Sequence, residues 1–308
     1  MILRFLVLPQ ENGALLRNFL RAHEVSASLM RSVKTHGGLF CDGVPIHTDQ
    51  RLGAGSEVSF ALPPERDTTV TSQALPLDIV YEDAHAMVLN KPAGMTVHPT
   101  LGYLDGTLAN AFCGEMARRG MPCAFRPVNR LDRNTSGLVL CALNEYAAPI
   151  LARTAEKRYY AIAEGQMPDA GCIDAPIGLC EGSFVKHCVT ASGKPSTTRF
   201  ETLYRGEGLS FVRLLLLTGR THQIRVHLTY LGHPLAGDDF YGGAQTRIAR
   251  QALHCGSMAF LTPQTGERRT VLQPLPPDMR ALLPKGFSCG DSLFQNAPQE
   301  GEKQEKNI

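Results

Sequence analysis

No apolar run in this chain is long enough to cross a membrane: the longest purely aliphatic stretch is Leu214 to Leu217. There is no Cys-x-x-Cys pair among the nine cysteines. Their odd number and scatter argue against a zinc ribbon and against a secreted disulfide framework, so free buried thiols are expected. No phosphate-binding P-loop and no dinucleotide-type glycine motif occurs, so nothing points to nucleotide-driven or hydride-transfer chemistry. There is no excess of one charge either: 31 basic against 29 acidic residues leave a net +2. Any nucleic-acid binding must therefore come from local clustering rather than global charge. Internal repeats are absent. The opening Met1-Ile2-Leu3-Arg4-Phe5-Leu6-Val7-Leu8-Pro9 lacks the basic start and cleavage site of a leader and reads as a first strand, so a cytoplasmic location is expected.

What is present is an ordinary apolar fraction, 43%, with 19% charged residues over 308 positions, enough for one large or two ordinary domains with a real core. Residues 1–62 read as a small unit. Leu16, Phe19 and Leu20 share one helical face, with Arg17 and Arg21 on another; Ser26 or Ser28 can cap a second helix bearing Leu29, Met30 and Val33, with Arg31 and Lys34 exposed. Gly37-Gly38 ends it, and Asp42-Gly43 between short apolar runs marks a hairpin. Residues 63–76, rich in Pro and Thr, read as a linker. From 77 to 288 the chain is strand-rich without βαβ alternation, which favours an α+β domain with a mixed, largely antiparallel sheet. Strands are expected at Tyr159 to Glu164, Thr197 to Tyr204, Phe211 to Leu217 and Leu253 to Leu261. A helix is expected to begin around Gly106-Thr107-Leu108. The polar end, 289–308, is expected to be disordered.

Three stretches carry chemistry. In Asn129-Arg130-Leu131-Asp132-Arg133-Asn134-Thr135-Ser136-Gly137 a carboxylate lies between two arginines, which favours its ionised form. A Gly-containing turn and a buried strand, Leu138 to Leu143, are expected to follow and to hold Asp132 firmly. An Asp in such a place is more often a turn residue than a nucleophile, so the stretch does not decide by itself. In the second stretch, Thr218 to Leu228, Thr221 can cap a helix that turns Ile224, Leu228 and Leu231 inward and His222 and Arg225 away from the core. His222 and His227 are five apart, not four, a poor spacing for a helical metal pair. The third is Lys157-Arg158-Tyr159-Tyr160, a strand start that sends its two tyrosines to opposite faces, so that one can be core and the other can face a cleft, although each taken singly is more often structural.

Arg130-Leu131-Asp132 followed by Thr135-Ser136-Gly137 resembles the signature of the RluA-type pseudouridine synthases. Lys91-Pro92-Ala93-Gly94, Lys157-x-Tyr159, Gly193-Lys194-Pro195, Gly219 to His227, Gly232-His233-Pro234 with Gly237-Asp238, and Leu253-His254 follow in that family's order. The likeness covers about residues 75 to 280, and the N-terminal unit resembles a small RNA-binding domain of ribosomal-protein type. The resemblance implies the pseudouridine synthase fold and these roles: Asp132 attacks the target uridine and forms a covalent intermediate; Arg225 pairs with that carboxylate; Tyr159 packs on the uracil and assists proton transfer; Arg130 enters the RNA stack left by the extruded base. Arg220 and His222 are expected to touch RNA, as are Arg17, Arg21, Arg31 and Lys34 on the first unit. No cofactor or metal is implied. The expected partner is structured RNA, large-subunit ribosomal RNA first and transfer RNA as the alternative, bound by a monomer with no membrane involved. Asn129 stands where the family commonly has His, which puts local RNA contacts or target preference in question. Two other classes compete: a non-catalytic RNA-binding protein of the same fold, and a Mg-dependent phosphatase whose Asp nucleophile would lie in Asp132-Arg133-Asn134-Thr135.

Overall fold

Helical spacing and capping shape the first segment as expected. β1 (Ile2–Leu6) is followed by α1 (Leu16–Ala22) and α2 (Ala27–His36), then β2 (Phe40–Cys41), β3 (Val44–Pro45) and β4 (Glu57–Ala61). Ser26, not Ser28, caps α2, its hydroxyl accepting from Leu29 N at 3.1 Å. Asp42 and Gly43 take φ of 50° and 78°, the left-handed pair that a tight hairpin needs. The strand order is β1-β4-β2-β3, and Leu3, Phe5, Val58 and Phe60 turn inward onto Leu16, Phe19 and Leu29. The computed structural model describes residues 1–65, 69–121, 123–285 and 287; the expected tail over 289–308 lies outside the described residues.

The chain divides into two units. One comprises Met1–Arg133, Val139–Glu156 and Ala259–Arg269; the other comprises Asn134–Leu138, Lys157–Met258 and the chain from Thr270. In the first unit the N-terminal elements are joined by β5 (Ile79–Glu82), β6 (Ala86–Lys91), α3 (Leu108–Arg118), β7 (Arg126–Pro127), the latter part of β8 (Ser136–Ala142) and α4 (Ala147–Thr154). β5 and β6 form a hairpin, its turn held by Asp83, whose carboxylate accepts from His85 N and Ala86 N at 2.7 Å each. Thr107 and Asn110 cap α3 reciprocally, which is why the helix begins where Gly106-Thr107 was read. The stretch read as a linker is tied down where described: Asn110 Nδ2 donates to Thr71 O at 2.9 Å, and Glu65 is paired with Arg126 at 2.7 Å.

Helix α4 escaped the sequence reading, and it matters. Tyr146 and Ile150, 2% and 4% exposed, belong to the same apolar cluster as Leu3, Phe5, Phe19 and Phe60. Phe5 meets the Tyr146 ring edge-on at 6.0 Å, and the Tyr146 hydroxyl donates to Pro263 O at 3.2 Å. Arg153 pairs with Glu24 at 2.7 Å. The N-terminal segment thus shares a core with α4. Tyr146→Ala is expected to cost about 3 kcal/mol, the usual loss for an aromatic-to-Ala change in a core, measured by denaturant unfolding.

The second unit contains β9 (Glu156–Glu164) from Lys157 on, β10 (Ala170–Asp174), β11 (Ile177–Leu179), β12 (His187–Val189), β13 (Thr197–Gly206), β14 (Leu209–Leu216), α5 (Gln223–Tyr230), the first part of β15 (Leu253–Leu261), the latter part of β16 (Arg268–Leu272) and α6 (Pro277–Arg280). The order β10-β13-β14-β9-β15 is extended by the start of β8, parallel to β15, while β10-β13-β14-β9 are antiparallel to one another. The fold is the expected α+β, its sheet mixed but largely antiparallel. Tyr160, Phe211 and Ile162 form its core, with the Tyr160 and Phe211 rings stacked at 5.9 Å. Cysteine burial is only half as expected. Of the eight described cysteines, Cys113, Cys123, Cys141 and Cys255 are buried, Cys172 is exposed, and Cys41, Cys180 and Cys188, on or beside the short hairpins β2–β3 and β11–β12, are partly so; Cys289 lies outside the described residues. Among the described residues, no helix is long and apolar enough to cross a membrane.

Candidate active site

Asp132 lies in a loop between β7 and β8, partly exposed and anchored on both sides. Upstream, β7 pairs with β8, and Val128 N continues the ladder to Leu140 O at 2.7 Å. Asn129 then accepts from Leu140 N through its side-chain Oδ1 at 2.9 Å and is buried. The position left in question by the sequence therefore serves the fold internally, since its amide completes the ladder where the backbone peels away. Leu131 is buried as well, while Arg130 is exposed and Asp132 partly so.

Downstream, Arg133 closes the loop. Its carbonyl accepts from Gly94 N at 2.9 Å and from Lys91 Nζ at 3.0 Å. Its guanidinium donates to Gly94 O at 3.0 Å and lies 4.6 Å from the centre of the Tyr103 ring. Arg133 had no role in the sequence reading; here it ties the loop to Lys91-Pro92-Ala93-Gly94. Arg130 is exposed, and its charge, after burial, helps hold His98 below the ordinary imidazole range.

One expectation about this loop is corrected. Thr135-Ser136-Gly137 is not the turn; the turn is at Arg133-Asn134, and Ser136 and Gly137 already belong to β8. Gly137 is required by close strand approach: a Cβ there would lie 2.3 Å from Cys255 O, and its φ is 114°. Ser136 Oγ is 2.9 Å from His254 Nδ1, and burial brings His254 down to about 4, so that this histidine is a neutral pin.

In the second unit the segment after β14 departs from expectation in two ways. Thr221 does not cap α5; His222 occupies the N-cap position with φ 55°, and no side chain caps the helix. The junction is held instead by Gln223. Its Oε1 accepts from Thr218 Oγ1 and Arg220 N at 2.9 Å each, and its Nε2 donates to Thr197 O and Thr198 Oγ1 at 3.0 Å each. Nor does α5 turn Arg225 away from the core. Arg225 is buried and forms a bidentate pair with Asp238, Nε to Oδ2 at 2.7 Å and Nη2 to Oδ1 at 2.8 Å. Its guanidinium sits 4.8 Å from the centre of the Tyr241 ring. The Tyr241 hydroxyl is 2.9 Å from His222 Nδ1.

Asp238 and Tyr241 are thus members of this cluster that received no role from the sequence. The available signal was an acid, Asp238, set after the apolar run Leu235-Ala236-Gly237, where only a buried cation would tolerate it. Gly232, with φ 84°, follows the C-cap Leu231 and ends α5. His227 is fully buried between Thr198 Oγ1 at 2.8 Å and Ala175 O at 2.9 Å, and burial lowers its pKa; it is a core histidine. Arg220 is exposed, its Nε donating to Pro195 O at 3.2 Å. Tyr159 and Tyr160 are both buried, at 6% and 1% exposure. On the N-terminal helices Arg17, Arg21, Arg31 and Lys34 are all exposed, with Lys34 Nζ donating to Thr48 Oγ1 at 3.0 Å. Among the described residues, no three His, Cys, Asp or Glu side chains are grouped to hold a metal ion.

Comparison with known proteins sets the family. Residues 85–230 match the family model described as RNA pseudouridylate synthase. An uncharacterized RNA pseudouridine synthase of Bacillus subtilis is 37% identical over 84% of this chain and 94% of its own length. The ribosomal large subunit pseudouridine synthase D of Vibrio vulnificus is 38% identical over 90% of each chain. Among solved structures, human RNA pseudouridylate synthase domain containing 1 superposes with a TM-score of 0.55 at 30% identity, covering 68% of this chain and 89% of that one. The chain belongs to the RluA-type RNA pseudouridine synthases, isomerases that convert uridine to pseudouridine within RNA.

Proposed function

We propose that this protein isomerises specific uridines of large-subunit ribosomal RNA, with Asp132 as the nucleophile. The observation that carries the assignment is the loop around Asp132, fixed by Asn129 on one side and Arg133 on the other while the carboxylate stays partly open. In the proposed reaction the Asp132 carboxylate attacks the target nucleoside, and the bond from ribose C1′ to base N1 breaks. The base turns, C5 bonds to C1′ as the carboxylate leaves it, C5 gives up its proton, and N1 takes up one. Nothing is oxidised, and the splitting of one hard step into two is the logic that retaining glycosidases use. Arg225 is the proposed partner of the nucleophile and Tyr159 the surface on which the uracil packs and the aid to proton transfer. Arg130 is proposed to fill the stack after the base is flipped, a step that costs a few kcal/mol; Arg220 and His222 are proposed further RNA contacts.

The ribosomal assignment is supported by relatives that carry that substrate in their names, aligned over most of this chain. Transfer RNA is the competing substrate. Cytoplasmic location and action as a monomer complete the proposal. Mapping pseudouridines in total RNA from cells with and without the gene tests it. Loss of one or more sites in large-subunit RNA is expected; loss confined to transfer RNA would overturn the substrate.

The N-terminal segment is proposed as an RNA grip using Arg17, Arg21, Arg31 and Lys34. Because its core is shared with α4, deletion would expose Tyr146 and Ile150 and confuse binding with folding. Changing the four exposed basic residues to Ala is the cleaner test. About a tenfold to hundredfold loss of RNA affinity at low salt is expected, with a shallower salt dependence. Unchanged affinity in a filter-binding titration would remove this role.

A further inference from the structure

Lys91 opens a motif to which the reaction assigns no role, and its surroundings give it one. It ends β6 and is completely buried, at 0% exposure. Its ammonium donates to three backbone carbonyls: Pro92 O at 2.8 Å, Met95 O at 2.8 Å and Arg133 O at 3.0 Å. An ammonium has three donors, and each has a carbonyl. An ammonium buried and held in this way is not placed to grip a phosphate of RNA.

The three carbonyls come from two segments. Pro92 and Met95 belong to the loop after β6; Arg133 immediately follows Asp132. The same two segments exchange further bonds, Gly94 N to Arg133 O at 2.9 Å and Arg133 Nε to Gly94 O at 3.0 Å. Gly94 has φ 86°, which lets the loop double back over the lysine. Lys91 is therefore the centre of a small knot whose outer strand is the backbone of the candidate nucleophile.

We infer that Lys91 is a positioning residue for the reaction: its buried ammonium fixes the main chain at Arg133 and so sets where the Asp132 carboxylate stands. The inference rests on Asp132 being the nucleophile. Without Lys91, Pro92 O and Met95 O lose the ammonium as donor and Arg133 O keeps only Gly94 N, so the loop must rearrange to satisfy them. The effect falls on the chemical step, because a carboxylate displaced by about 1 Å from its line of attack can lose ~100-fold in rate. RNA binding, which uses exposed residues, is left in place.

The test uses the full-length protein with Lys91→Met and Lys91→Gln, the second keeping amide donors without charge. Single-turnover release of tritium from RNA carrying carbon-5-tritiated uridine gives the rate at saturation, and a titration of the same RNA gives the affinity. The expected result for Lys91→Met is a rate lowered by about 100-fold with RNA affinity within about threefold of the parent. Lys91→Gln is expected to fall between the two. A general unfolding would lower rate and bound fraction together, so the split between them marks positioning. A parent-like rate in either folded variant, or a loss confined to affinity, overturns the inference. Should Lys91→Met not fold, Lys91→Gln alone decides by the same criteria. Asp132→Asn is run beside them. If it retains activity, the assignment of the nucleophile fails; if it is inactive while the Lys91 variants are not, only the role of Lys91 fails.

Discussion

Asp132→Asn is expected to lower the rate of pseudouridine formation by at least about 10⁴-fold, the scale on which removal of a covalent nucleophile is felt. The substitution is nearly isosteric, and Asn serves a turn at least as well as Asp. It therefore separates the two readings between which the sequence left this residue. If Asp132 were only a turn residue, the variant would work. If it is the nucleophile, the amide cannot attack, and the loop around it persists. The loop's anchors are independent of that carboxylate: Asn129 on Leu140 N, and Arg133 on Gly94 and Tyr103. The variant should therefore fold and bind RNA with affinity within a few-fold of the parent while releasing no tritium. Activity within tenfold of the parent would remove the nucleophile.

Arg225→Met carries the second large effect, and it is a double one. Turnover is expected to disappear, because the proposed partner of the nucleophile is gone. Stability is expected to fall by about 3–5 kcal/mol, because Asp238 would be left as a buried charge without its guanidinium. Asp238 is 1% exposed and accepts both Arg225 bonds at 2.7 and 2.8 Å, so water cannot take over. Inactivity of this variant alone would be ambiguous, since a partly unfolded enzyme is also inactive. Arg225→Met combined with Asp238→Val resolves the ambiguity. Replacing both members of a buried pair is often close to neutral, so the double variant should recover most of the lost stability and none of the activity. Recovery of turnover in the double variant would make Arg225 a structural residue. A stability loss below about 1 kcal/mol for Arg225→Met would show that the pair is solvated in solution.

These two residues also show how far the sequence could be read. Asp132 was legible because it is embedded in an ordered set of motifs and followed by an apolar strand. The strands with steady apolar content, such as Leu253–Leu261, were legible for the same reason. Ala170–Asp174 and His187–Val189 were not, because those edge strands bury little and carry no alternation. The helix Ala147–Thr154 was missed because its apolar residues face a partner far away in sequence, the N-terminal core. Arg225 was placed correctly on its helix but on the wrong side. Helical periodicity sorts residues by polarity, and it cannot see that Asp238 makes burial of an arginine tolerable. Thr221 was taken as a cap on residue type alone, whereas the left-handed His222 and the side chain of Gln223 hold that junction. Asn129 drew attention as a departure from the family and proved to carry a backbone bond that no spacing rule encodes. Gly137 was read as a turn glycine; a parallel neighbour far along the chain, Cys255, is what forbids a side chain there.

The central claim, that this chain breaks and remakes the bond between ribose and uracil within RNA, is tested most directly with the purified protein alone. Large-subunit ribosomal RNA and transfer RNA transcribed with carbon-5-tritiated uridine are incubated with it, without added metal or cofactor, and released tritium is counted against pseudouridine recovered from the digested RNA. The expected result is one tritium released per pseudouridine formed, to a plateau of whole sites per large-subunit RNA molecule. Absence of release from both RNAs would contradict the account.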